Sequence, residues 1–141
     1  MYVDSCIIVK LLTPEDDSAF FDEALTGQSL SCSELALTEV HSALLVKERH
    51  GVITPDERRM AWKVFSDWID AGQLFLTPLN GITLRKANQI LGHCHPGIPL
   101  RTLDALHLAA CDLRQEFPMS TTDKRMRQAA VRLSIPIFPE A

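Results

Sequence analysis

Short apolar runs alternate with longer segments of helical period along the whole chain, and this alternation constrains the fold more than any other feature. Parallel strands need crossover connections, which are usually helical, so the pattern predicts an α/β protein, a three-layer α/β/α sandwich with a central parallel sheet. In such a sheet the ligand crevice lies beyond the carboxyl ends of the strands, near the point where strand order reverses. The strand candidates are residues 2–4, 30–32, 74–77, 118–121 and 135–138.

Three threonines mark predicted helix starts. Thr13 and Thr54 each place a capping hydroxyl before a proline and acidic residues, and Thr102 precedes the most apolar helical run of the chain. These residues therefore predict helices that begin directly after them.

Two further patterns have alternative interpretations. His93, Cys94 and His95 alternate in a way that suits a strand, and because no second pair has ligand spacing, they do not predict a zinc site. Trp62 and Trp68 recur at helical spacing with Phe65 between them, which indicates an apolar stripe serving either as core or as a docking groove.

Length and charge narrow the class of protein. A chain of 141 residues predicts a single domain over 1–141, because two halves would each be too small to bury much core. The 18 acidic residues exceed the 14 Lys and Arg, and a net charge of −4 excludes a generally basic surface that coats nucleic acid.

The opening apolar run is interrupted by Asp4 and Lys10, so we expect no membrane span there. We expect the protein to be cytoplasmic. The four cysteines form no C-x-x-C pair and are expected to be reduced packing residues.

Four carboxylates occupy positions that solvation does not explain. Asp4 ends the first strand candidate, Glu39 and Asp104 lie on apolar faces of helices, and Asp123 follows the strand at 118–121. If the first and fourth strands are neighbours, all four acids face one crevice. Two of them keep alternative interpretations. Asp123 can simply cap a helix, and the Glu39 side chain can snorkel from the edge of its apolar face or pair with a neighbouring lysine.

Crowded carboxylates need a cation to neutralise them. Hard oxygen ligands select Mg²⁺ or Mn²⁺, and one or two such ions would activate water for hydrolysis of a phosphodiester. The four acids therefore predict a metal-dependent site.

The same acids, with their neighbours, resemble a PIN domain, and more narrowly the VapC-type toxin ribonucleases of toxin–antitoxin pairs. The resemblance extends in order from residue 1 to about residue 138. The segments that carry it are 1–11, 37–44, 103–110 and 121–126. Cys6 departs from the family pattern, in which a small hydroxyl residue or alanine is commoner at this position.

The resemblance implies Mg²⁺- or Mn²⁺-dependent endonucleolytic cleavage of RNA, typically tRNA or rRNA. It also implies a homodimer that a small antitoxin protein holds inactive. Among the acids it ranks Asp4 and Asp104 first as metal ligands. The site residues carried over are the acids Asp4, Glu39, Asp104 and Asp123, with Ser5 and Thr121 as supporting hydroxyls. A housekeeping PIN nuclease for RNA processing and a binding module without catalysis remain the alternatives.

Basic and histidine residues near the acids complete the predicted site. Lys124, Arg125 and Arg127 follow Asp123 and are candidates for binding RNA phosphates, with a solvated helix face as the alternative. His107, one turn after Asp104, is either close to the metal or packed with its ring hydrogen-bonded; the second interpretation is the better supported.

Overall fold

The computed structural model describes residues 1–140; residue 141, the end of the predicted domain, lies outside the described residues. The strands are β1 (Tyr2–Val3), β2 (Leu30–Ser33), β3 (Leu74–Thr77), β4 (Met119–Ser120) and β5 (Ile137–Phe138). The helices are α1 (Ser5–Leu12), α2 (Ser18–Leu25), α3 (Ala36–Arg49), α4 (Pro55–Asp70), α5 (Gly81–Cys94), α6 (Thr102–Arg114) and α7 (Lys124–Arg132).

The strands form one parallel sheet in the order β3-β2-β1-β4-β5. From β1 the chain steps outward through β2 to β3, then crosses back to β4 and steps outward again to β5. Because crossovers between parallel strands are right-handed, the two directions of travel put their helices on opposite faces of the sheet. Accordingly α1 to α4 pack on one another and α5 to α7 pack on one another. The α/β/α sandwich predicted from the alternating pattern is confirmed.

The core lies on both faces of this sheet. Tyr2, Ile7 and Leu44 are fully buried, as is Phe65, the centre of the predicted apolar stripe, whose flanking tryptophans are partly buried against the core. All four cysteines are free; three are buried as expected, whereas Cys6 is exposed. Over residues 1–140, no helix combines the length and the apolar character that crossing a bilayer requires.

One predicted helix start is wrong and another is shifted. The Thr13 backbone N–H and side-chain hydroxyl both donate to the Val9 carbonyl at 2.9 Å, so Thr13 closes α1, and the next helix begins only at Ser18. Helix α6 begins at Thr102 itself, one residue early, because Arg101 takes the capping position. Thr54 caps α4 as predicted.

The paired histidines are not in a strand. His93 and Cys94 complete helix α5, and His95 is its C-terminal cap. The alternation of histidine and cysteine at this position therefore does not reflect a strand, and the prediction of a strand is wrong.

Two leucines on α6 provide a test of the layer arrangement. Leu108 is fully buried, whereas Leu113 is 43% exposed. We expect Leu108→Ala to lower the free energy of unfolding by about 2–5 kcal/mol, because it removes transfer free energy and leaves a cavity. Leu113→Ala is expected to change it by about 0.5 kcal/mol or less. Urea denaturation of both variants measures the difference; equal losses would contradict the assignment of the buried face.

Candidate active site

The reversal of strand order falls between β1 and β4, which are neighbours in the sheet. Asp4 follows β1 directly, and Thr121 and Asp123 follow β4. Glu39 lies in the first turn of α3 and Asp104 in the first turn of α6. The carboxyl ends of β1 and β4 meet at one edge of the sheet, so the fold brings these side chains to a single crevice.

Asp4 is the most buried of the four acids, with 3% of its surface exposed. Its Oδ1 accepts hydrogen bonds from the Ile7 backbone N–H at 3.1 Å and from the Cys6 thiol at 2.8 Å. Its Oδ2 accepts a hydrogen bond from the Thr121 hydroxyl. Burial raises the pKa of Asp4, and the hydrogen bonds from Cys6 and Thr121 offset that rise only in part. The cost of ionising a buried carboxyl is therefore present in the folded protein.

Glu39 is paired with a buried histidine. Its Oε1 lies 2.6 Å from His107 Nε2 and accepts a hydrogen bond from the Ser5 hydroxyl at 2.9 Å. The other ring nitrogen of His107, Nδ1, lies 2.7 Å from the Tyr2 hydroxyl. The structure therefore gives His107 a packed position with its ring hydrogen-bonded, as the sequence favoured.

Burial and pairing act on this ion pair in opposite directions. Burial by itself would lower the pKa of His107, but hydrogen bonds to Cys32 and Glu39 outweigh it and raise the pKa to about 10. Burial by itself would raise the pKa of Glu39, but the hydrogen bond from His107 and its charge lower it. Near neutral pH the pair is a protonated imidazole against a carboxylate.

Asp104 and Asp123 share one guanidinium. Oδ2 of Asp104 accepts from the backbone N–H of Arg101 at 3.2 Å and from Arg101 Nε at 3.3 Å. Arg101 Nη2 lies 3.7 Å from Oδ2 of Asp123. The other Asp123 oxygen, Oδ1, accepts the Met126 backbone N–H and caps α7, so the capping interpretation of Asp123 holds together with its position in the pocket.

These side chains line one pocket of about 280 Å³. Its walls are formed by Asp4, Ser5, Cys6, Glu39, Arg101, Asp104, His107, Thr122, Asp123 and Met126. Thr121, the second predicted hydroxyl, is fully buried behind the pocket and contacts it through Asp4. A larger cavity of about 580 Å³ lies elsewhere, but its lining is mainly apolar and holds only Asp22 as an ionisable group. Chemistry rather than volume therefore identifies the acidic pocket as the candidate site.

The pocket suits a hard divalent cation because four carboxylates are among its lining side chains. One of them, Asp4, is buried, and burial raises the pKa of its carboxyl. The side chains, as they lie in the structure, do not form a ready-made metal site. Over residues 1–140, no three His, Cys, Asp or Glu side chains form a group arranged to hold a metal ion. The hydrogen bonds described above engage oxygens of all four acids.

The three basic candidates on α7 have different surroundings. Arg127 donates to the Thr121 carbonyl at 3.0 Å and to the Pro139 carbonyl at 2.7 Å, so it ties the end of β4 to the chain after β5. Lys124 is exposed and Arg125 is half-buried, and within residues 1–140 neither makes an ion pair. Phosphate binding by Lys124, Arg125 and Arg127 therefore stays a prediction, and the two hydrogen bonds of Arg127 also give it a structural role.

Sequence reasoning did not assign Arg101 to the site. The available signal was local, since an arginine three residues before Asp104 stands where a helix N-cap would be and can join a capping box. Thr122 and Met126 also line the pocket without having been predicted.

Comparison with known proteins supports this description of the fold. A family model described as PIN domain matches residues 1–132. No curated protein matches the chain significantly. The structure of FitAcB from Neisseria gonorrhoeae is 14% identical, with a TM-score of 0.66 over 97% of this chain and 95% of that chain. The structure of VapBC2 from Rickettsia felis, bound to a DNA fragment from its promoter, is 10% identical, with a TM-score of 0.67 over 97% of both chains. At these identities the two structures establish a common fold.

The raised pKa of Asp4 leads to a stability prediction. The carboxyl ionises less readily in the folded chain than in the unfolded one, so above the unfolded pKa, about 3.9, its ionisation disfavours folding. We expect Asp4→Asn to raise the melting temperature at pH 7 without divalent cations, and the gain to shrink as the pH falls towards 4. Thermal denaturation of Asp4→Asn and of the exposed control Asp16→Asn measures this. No gain at pH 7 would contradict it.

The His107 pair predicts a different pH dependence. Because the folded-state pKa of about 10 exceeds the ordinary 6.5, protonated His107 stabilises the fold fully below pH 6.5, and this contribution is lost as pH rises through 10. We expect His107→Gln to cost about 1–3 kcal/mol at pH 6, because it leaves Glu39 without its partner. The loss should be smaller at pH 10. Urea denaturation across this range, with exposed His95→Gln as control, measures it; a loss independent of pH would indicate a neutral imidazole.

Proposed function

This chain belongs to the PIN domain family, whose members are generally nucleases, and on that basis we propose that it is a metal-dependent endoribonuclease. We further propose that it acts as the toxin of a toxin–antitoxin pair. The segments around the four acids resemble VapC-type toxins, and VapBC2 is among the structures with a similar fold.

The observation that carries the proposal is the charge of the pocket. Four carboxylates, Asp4, Glu39, Asp104 and Asp123, line it together with two cationic side chains, those of Arg101 and His107. Two negative charges are left over, which is the charge that one divalent ion neutralises. This balance favours one resident ion over two.

The residues proposed to hold a divalent ion are Asp4, Asp104 and Asp123, because Glu39 is paired with the buried His107, whereas the Arg101 side chain beside Asp104 and Asp123 is 61% exposed. When bound, such an ion would lower the pKa of a coordinated water and offset the charge that develops on the phosphate. Thr121 and the Ile7 backbone N–H fix the Asp4 carboxylate by hydrogen bonds. Ser5 and His107 hold Glu39 at the pocket wall, where its uncontacted oxygen can orient a water or a ribose hydroxyl.

RNA is the proposed substrate, and Lys124 and Arg125 are the proposed phosphate contacts. Both lie in the first turn of α7, directly after Asp123, so a backbone phosphate beside the pocket would be within their reach. Following the resemblance, we also propose a homodimer, a small antitoxin partner and a cytoplasmic location.

Replacing Asp104 tests the activity. Asp104→Asn removes one charge at nearly constant volume, so we expect RNA cleavage to fall on the order of 100-fold or more while the fold is kept. The matched control is Asp112→Asn on the same helix, because Asp112 pairs with Lys86 at 3.0 Å outside the pocket. End-labelled tRNA and rRNA fragments are incubated with each protein in Mg²⁺, in Mn²⁺ and in EDTA, and the cut ends are mapped.

Three outcomes decide between the interpretations. Cleavage that requires Mg²⁺ or Mn²⁺ and is lost in Asp104→Asn alone supports the proposal. Cleavage at the wild-type rate by Asp104→Asn, or cleavage in EDTA, contradicts the assigned chemistry. No cleavage, together with no Mn²⁺ binding by the wild-type protein, favours a binding module without catalysis.

A further inference from the structure

Arg101 bridges two of the four pocket carboxylates with one side chain. Its Nε lies 3.3 Å from Oδ2 of Asp104, and its Nη2 lies 3.7 Å from Oδ2 of Asp123. No lysine and no second arginine line the pocket as described over residues 1–140. Arg101 therefore supplies the guanidinium charge among the acids, and His107 is the other cationic side chain of the lining.

The bridge and a divalent ion compete for the same oxygens. Mg²⁺ binds carboxylate oxygens at about 2.1 Å, so an ion on Oδ2 of Asp104 would stand a few ångströms from the guanidinium and repel it. The second Asp123 oxygen is engaged by the α7 cap, and both Asp4 oxygens accept hydrogen bonds. Of these contacts, the Arg101 bridge is the one made by a side chain that a divalent ion would repel.

The two cations of the pocket differ in how easily they can leave. The Arg101 side chain is 61% exposed, and its contact distances are those of a loose ion pair. The His107 side chain is 4% exposed and is held on both ring nitrogens. If Arg101 swings outward, its backbone N–H still holds Asp104 in the capping box, so the carboxylate keeps its orientation.

We propose that Arg101 is an exchangeable counter-ion of the site. It neutralises Asp104 and Asp123 until a divalent ion takes its place, and this exchange sets the metal affinity of the pocket. The proposal rests on the proposed function, because it takes a divalent ion as the resident cation.

Metal titration without RNA tests the exchange. We compare Mn²⁺ binding to the wild-type protein, to Arg101→Gln and to Lys124→Gln, measured by electron paramagnetic resonance of free Mn²⁺. Arg101→Gln is expected to bind Mn²⁺ about fivefold more tightly, the size of effect an exposed ion pair produces. Lys124→Gln deletes the same charge beside Asp123 without breaking the bridge, so its affinity should change by about twofold or less.

A second measurement follows Arg101 in the wild-type protein. The ¹⁵N-labelled Arg101 Nε–Hε signal is assigned by its disappearance in Arg101→Gln. Addition of saturating Mg²⁺ is expected to move this signal towards the position of a solvated guanidinium. This measurement needs no catalytic activity, and the Mg²⁺ titration itself is carried out on the wild-type protein.

The outcomes separate the exchange from the proposed function. Equal Mn²⁺ affinity of wild type and Arg101→Gln, an equal gain in Lys124→Gln, or an unmoved Nε–Hε signal in Mg²⁺ overturns the exchange and leaves the nuclease proposal standing. If neither wild type nor Arg101→Gln binds Mn²⁺, both proposals are overturned. A gain confined to Arg101→Gln with a moved signal supports the exchange.

Discussion

Repulsion among four carboxylates at one edge of the sheet is the constraint around which this molecule is arranged. Each acid stands at a helix N-terminus: Asp4 and Asp123 cap α1 and α7, while Glu39 and Asp104 lie in the first turns of α3 and α6. The positive ends of four helix dipoles therefore converge on the pocket and lower the cost of holding negative charge there. Helix capping and a role in the site are consequently not rival explanations for these residues.

The remaining repulsion is offset in two ways that differ in permanence. Glu39 is matched by His107, a buried cation whose ring is fixed between Glu39 and Tyr2. Asp104 and Asp123 are matched by Arg101, an exposed cation on loose contacts. Asp4 has no cationic contact among the described residues, and burial raises its pKa. One half of the pocket therefore holds a buried ion pair, and the other half holds carboxylates whose charge is offset less completely.

The sequence predicted the strands and the acids because both depend on local patterns. An apolar run that ends in aspartate fixes Asp4 and Asp123 at strand ends, and an acid in an apolar helical run fixes Asp104. Thr13 failed as a helix start because its hydroxyl serves the helix before it, a choice that the residue type does not reveal. The pairing of His107 with Glu39 joins side chains 68 positions apart, and the reach of Arg101 to Asp123 likewise depends on tertiary distances.

The net charge of −4 has a physical meaning on the proposed function. RNA phosphates approaching the pocket meet four carboxylates and two cations, so repulsion opposes binding until another positive charge is present. Lys124 and Arg125 lie beside Asp123, and Arg127 is engaged by backbone carbonyls. None of the three lines the pocket, so they offset little of the negative charge inside it. On the proposed function, metal binding would therefore come before productive RNA binding. On this proposal an acidic chain and a nucleic-acid substrate are compatible, because four of the acidic side chains line the pocket where a metal ion would offset their charge.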